Sequence, residues 1–140
     1  MLTRSQKEVE VAELHDRFTR ATSVFVAEYR GLDVASVDAL RAKMRAAGVG
    51  AFEYRVAKNT LLRRAAEGST GAALVEHFNG PTAVAFSFGD PAKLAKMLVE
   101  YGKDKEPFKL RAAVVEGQAL DTAEIAMLAT LPSLDELRGK

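Results

Sequence analysis

Between Arg55 and Ala65 the chain reads Arg-Val-Ala-Lys-Asn-Thr-Leu-Leu-Arg-Arg-Ala, with four cations and no acid. Guanidinium and ammonium groups at that density are chemistry for an anion, Arg by paired hydrogen bonds and Lys as a point charge. From Arg41 to Arg64 there are seven bases (Arg41, Lys43, Arg45, Arg55, Lys58, Arg63 and Arg64) and one acid, Glu53, so the segment carries +6. The other residues hold 13 bases and 18 acids, a net of −5, so the whole-chain charge of +1 hides a polarised molecule. A concentrated basic face on a nearly neutral protein fits a polyanionic partner, nucleic acid first, although a solvated helix face would give the same count.

Catalytic chemistry has little to work with. His15 and His77 each lie in a helical stretch without a neighbouring ligand or base in sequence, which is the pattern of surface or boundary histidines. No phosphate-loop lysine, nucleophile elbow or His-Glu-x-x-His helix occurs, and acid pairs such as Glu10 with Glu13 or Asp135 with Glu136 fit solvated helix faces. The Gly68-Ser69-Thr70-Gly71 loop has no helix-opening lysine after it and reads as a connector. Neither a catalytic residue nor a metal or other cofactor is expected. Tyr29-Arg30-Gly31-Leu32 differs from these. A ring, a guanidinium and a glycine together at a strand end offer stacking, phosphate pairing and close backbone approach, which RNA-binding surfaces use.

The elements that must hold these residues follow from periodicity and punctuation. Ser5-Gln6-Lys7-Glu8 has the capping-box pattern and predicts a first helix over 5–19. A strand is expected at 23–28, a helix carrying Val37, Leu40 and Met44 with Asp33 or Ser36 as cap, and a strand at 51–56. Asn59 is placed to cap a short third helix; Leu74, Val75 and Phe78 mark a fourth. A strand at 82–87, a helix opening at Asp90-Pro91, a strand at 108–115 and a last helix capped by Asp121 complete the chain. Counted from Ser23, this is an α+β chain of the ferredoxin-like class, the split βαβ or alpha-beta plait. It has a four-stranded sheet with helices on one face and extra helices at the N-terminus, in the middle and at the C-terminus. One domain suffices at 140 residues. The chain lacks Cys, the apolar core of a secretory signal and any apolar run near the roughly 20 residues a bilayer needs, so a cytoplasmic protein without a membrane partner is expected.

Assembled in order, these motifs resemble the bacterial large-subunit ribosomal protein number ten, the stalk-base family. The resemblance rests on Tyr29-Arg30-Gly31-Leu32, on Leu40-Arg41 through Arg45 to Gly48, on Lys58-Asn59-Thr60-Leu61-Leu62, on Gly80-Pro81-Thr82-Ala83 and on Leu131-Pro132-Ser133. Ala57 and Asp33 stand where the family usually has Val and Thr. The resemblance implies a structural, non-enzymatic protein that binds large-subunit ribosomal RNA beside ribosomal protein eleven, near the site where translational GTPases dock. It implies that a full-length form carries dimers of the acidic stalk protein on a long C-terminal helix. The RNA-facing set it implies is Tyr29, Arg30, Gly31, Arg41, Arg45, Lys58, Asn59 and Thr60, with Arg55, Arg63 and Arg64 added on charge. The expected organisation is an RNA-binding domain over 1–131, monomeric when free, and the start of a shortened helix over 132–140. Two rivals are a ferredoxin-like acyl-phosphate phosphatase using Arg55 and Asn59, and a non-ribosomal RNA-binding module.

Overall fold

The central strands are apolar on both sides, and that decides the architecture. In β1 (Ser23–Glu28) Val24 and Val26 point one way and Phe25 and Ala27 the other, and all four are buried. β3 (Thr82–Ser87) repeats the arrangement, Val84 and Phe86 against Ala83 and Ala85. A strand buried on both faces needs a layer on each. The computed structural model, which describes residues 3–28, 34–48, 50–56, 58–78, 82–104 and 108–130, supplies both layers.

The remaining strands are β2 (Phe52–Val56), β4 (Lys109–Val115) and β5 (Gln118–Leu120), and the helices are α1 (Arg4–Arg20), α2 (Val34–Ala47), α3 (Asn59–Ala66), α4 (Pro91–Asp104) and α5 (Thr122–Thr130). A 3-10 helix, Thr70–His77, follows α3 where a fourth short helix was expected. The sheet order is β2-β3-β1-β4-β5 with every adjacent pair antiparallel. The α+β class stands, and this order and these directions are compatible with the split βαβ pattern. β1 and β2 run the same way with β3 between them, so Glu28 and Val56 both lie at the end of the sheet where β3 begins.

Three expectations are corrected. Helices cover both faces of the sheet: α1, α3 and the 3-10 helix pack Leu14, Phe18, Leu61, Leu62 and Leu74 on one side, while α2, α4 and α5 pack Leu40, Met44, Leu94, Leu98 and Ile125 on the other. The sheet has five strands, because Glu116 (φ 50°) and Gly117 (φ 84°) form a two-residue left-handed turn that pairs Val115 with Gln118. The first helix begins earlier, at a capping box made by Thr3 and Gln6 in place of Ser5 and Glu8. The Thr3 hydroxyl accepts from the Gln6 amide at 3.2 Å and the Thr3 amide donates to Gln6 Oε1 at 2.8 Å. Asp121 caps α5 as expected, its carboxylate accepting from the Glu124 amide at 2.8 Å.

Candidate nucleic-acid interface

Helix α3 divides its residues by spacing. Leu61, Leu62, Ala65 and Ala66 are buried against α1 and the sheet, which turns Thr60, Arg63 and Arg64 outward three and four residues apart. Lys58 is the N-cap, exposed, with extended backbone (φ −65°, ψ 141°), and its carbonyl closes the first turn by accepting from the Leu61 and Leu62 amides at 3.0 Å each. Asn59, expected as the cap, is the first helical residue and is half-buried. Its place one residue later follows from Lys58 supplying that first carbonyl. Arg63 lies along the surface and donates from Nη2 to the Phe78 carbonyl at 3.0 Å.

His15 holds this helix from below, its Nδ1 lying 2.8 Å from the carbonyl of Ala65 in the last turn of α3. A last-turn carbonyl has no partner within its own helix, so the imidazole supplies one from α1. His15 is thus an exposed boundary residue that ties α1 to α3, in agreement with its sequence pattern.

Helix α2 contributes from the opposite layer. Leu40 and Met44 are buried, and Arg41, Lys43 and Arg45 fall on the outer side, Lys43 and Arg45 exposed. Arg41 leans over β2: its guanidinium sits 5.7 Å from the centroid of the Tyr54 ring, with Nη2 3.4 Å from the Tyr54 carbonyl. Arg41, Met44 and Arg45 with Phe52, Glu53 and Tyr54 line a shallow hollow of about 190 Å³ between α2 and β2. β2 is an edge strand with α2 beside it on one layer; α3 lies in the other layer, packed on α1 and the 3-10 helix, so the two sets of cations belong to opposite layers.

Arg55 lies elsewhere. Phe52 and Tyr54 pack toward α2 and α4, so alternation sends Glu53 and Arg55 to the α1 side. There Arg55 donates from both Nη1 and Nη2 to Glu13 Oε2 at 3.4 Å and pairs with Glu53 Oε2 at 3.6 Å. Glu53 Oε1 accepts from Arg17 Nε at 3.2 Å, and Asp16 joins Arg17 (2.8 Å) to Arg20 (2.9 Å). Arg17 is held above its ordinary pKa, first by the hydrogen bond to Glu53, with desolvation opposing and Asp16 adding to the shift. For Asp16 desolvation acts upward, but hydrogen bonds from Arg20 and Arg17 outweigh it and place its carboxyl below the ordinary value. The charge pattern alone missed this network. Its signal was the single acid, Glu53, inside the basic segment, opposite a helix with Glu13, Asp16, Arg17 and Arg20 at one-turn spacing.

Tyr29, Arg30 and Gly31 lie outside the described residues, as do Asp33, Ala57, Gly80, Pro81 and the whole of 131–140, including 132–140 where the start of a shortened helix was expected. What the structure does place is the strand end before them: Glu28 closes β1 at the same end of the sheet at which β2 delivers the chain to Lys58. Among the described residues no group of three or more His, Asp or Glu could hold a metal ion, and no helix is long and apolar enough to cross a membrane.

The described residues thus form an α+β domain with exposed cations on α2 and α3 and with Arg55 held between two carboxylates. The model of the family described as Ribosomal protein L10 matches residues 2–103. The chain is 46% identical over 140 residues to the large ribosomal subunit protein uL10 of Myxococcus xanthus, covering 99% of this chain and 79% of that one. It is 44% identical to the protein of the same name from Geobacter metallireducens, with 99% and 79% covered, and 46% identical to that of Geotalea uraniireducens, with 93% and 74% covered. The chain belongs to the ribosomal protein L10 family, a family of structural constituents of the large ribosomal subunit and not of enzymes. The resemblance read from the motifs is therefore correct, and the phosphatase reading falls.

Proposed function

We propose that this chain anchors on large-subunit ribosomal RNA at the stalk base, as a cytoplasmic ribosomal component, through the rim formed by α2, the end of β2 and α3. The observation that carries the reading is the outward face of α3: Lys58, Thr60, Arg63 and Arg64 displayed over an underside fixed by Leu61, Leu62 and Ala65. Arg41 and Arg45 extend the positive rim from α2, and Tyr29, Arg30 and Gly31 are assigned to the same interface by their motif. Arg and Lys pair with phosphates, while Asn59 and Thr60 hydrogen-bond to sugar or phosphate. Paired RNA hides base edges in a deep groove, so recognition is chiefly of backbone shape. Ribosomal protein eleven is the proposed neighbour, and acidic stalk dimers the proposed cargo of a form that continues into the long helix.

A competition experiment tests this. Labelled stalk-base RNA bound to the chain is challenged with unlabelled stalk-base RNA and with an unrelated structured RNA of equal length. Displacement by the cognate fragment at far lower concentration supports the ribosomal assignment, whereas equal displacement by both favours a general RNA-binding module.

A further inference from the structure

We infer that Arg55 is a clamp between the sheet edge and α1, and that Glu53 with Glu13 limits how much of the basic segment RNA can use; this rests on the RNA-binding reading above. Arg55 projects to the α1 side of β2, three-quarters covered, with both terminal nitrogens on Glu13 and a second carboxylate, Glu53, at 3.6 Å. Glu53 is the only acid between Arg41 and Arg64, and each of its oxygens serves one cation, Arg17 through Oε1 and Arg55 through Oε2. The edge strand β2 has a sheet partner on one side only, so a cross-link to α1 fixes the edge from which the chain enters α3.

A phosphate could recruit Arg55 only by displacing two carboxylates already at its guanidinium, which would then be left facing the RNA backbone. The pairing thus performs two tasks. It fixes the strand leading into Lys58, and it subtracts a cation from the surface offered to any polyanion. Glu13 and Glu53 become specificity residues: with one fewer mobile cation, indiscriminate attraction falls while the placed cations of α2 and α3 retain the shaped contact.

The test compares four chains, wild type, Arg55→Met, the double variant Glu13→Gln/Glu53→Gln and Lys58→Ala, each titrated across salt with the stalk-base RNA fragment and with a short RNA duplex of unrelated sequence. Arg55→Met is expected to lower the melting temperature and keep the wild-type salt slope, while Lys58→Ala loses about one unit of slope. The double variant is expected to gain about one unit of slope and to bind the unrelated duplex several-fold more tightly, because Arg55 then faces neutral amides. Loss of a unit of slope in Arg55→Met, comparable to Lys58→Ala, overturns the inference and leaves the RNA reading intact. If Arg55→Met does not fold, the double variant decides alone, an unchanged slope counting against the inference. A wild-type chain with no salt dependence overturns both readings at once.

Discussion

Helix α3 and strand β2 are neighbours in sequence and share one run of Arg and Lys, yet they handle the charge differently. On α3 the apolar residues take the underside and the cations rise from an anchored surface toward solvent. On β2 the alternation of a strand gives Arg55 to the face that α1 covers, where Glu13 and Glu53 meet it. The comparison teaches that a basic segment is not one site. Secondary-structure period decides which cations face solvent, and a count of +6 overstates the charge the segment displays.

The comparison is broken most severely by removing what holds α3 up. Leu61→Ala should cost about 2 to 5 kcal/mol of stability, because it deletes a buried side chain between α1 and the sheet. Chemical denaturation measures this, and the folded fraction should keep its salt slope. Lys58→Ala and Arg64→Ala come next, and they do the reverse: each should weaken RNA binding and reduce the slope by about one, with stability unchanged within about 0.5 kcal/mol, since both side chains are exposed. A collapse of stability in Lys58→Ala with RNA affinity untouched would invert the assignment of the two regions.

Two smaller effects probe the β2 side. Arg17→Met removes the link from α1 to Glu53 and should cost no more than about 1 kcal/mol, shrinking further in high salt, because the pair is only partly covered. Thermal melts at low and high salt would read it. Asp16 gives the smallest effect. Its carboxyl is held below the ordinary value in the folded chain, so its contribution is present above the unfolded pKa near about 4 and is lost as pH falls through the lower folded value. The melting temperatures of wild type and Asp16→Asn should therefore differ near neutral pH and converge below about pH 4.

Local signals carried most of this fold into view. β1 and β3 have their expected spans because apolar β-branched runs with sharp breaks leave few alternatives, and Asp121 caps its helix as its spacing with Glu124 requires. The second helical layer was legible in principle, since a run such as Val24-Phe25-Val26-Ala27 has no polar side to expose, but periodicity cannot say which helices supply the cover. β5 depended on Glu116-Gly117 being a two-residue turn between Val115 and Gln118, a short-range signal weaker than the Asn-Gly or Asp-Gly pairs that usually announce a hairpin. At the site, helical spacing exposed the face of α3 directly. The pairing of Arg55 with Glu13 was invisible, because it joins residues 42 apart in the chain through the packing of α1 on β2.

Salt dependence of binding to stalk-base RNA by the unaltered chain tests the central claim most directly. Five or six phosphate contacts from Arg30, Arg41, Arg45, Lys58, Arg63 and Arg64 predict a slope of log affinity against log salt of roughly −4 to −5, at about 0.7 to 0.9 per contact. A slope near zero would contradict an electrostatic anchor on RNA.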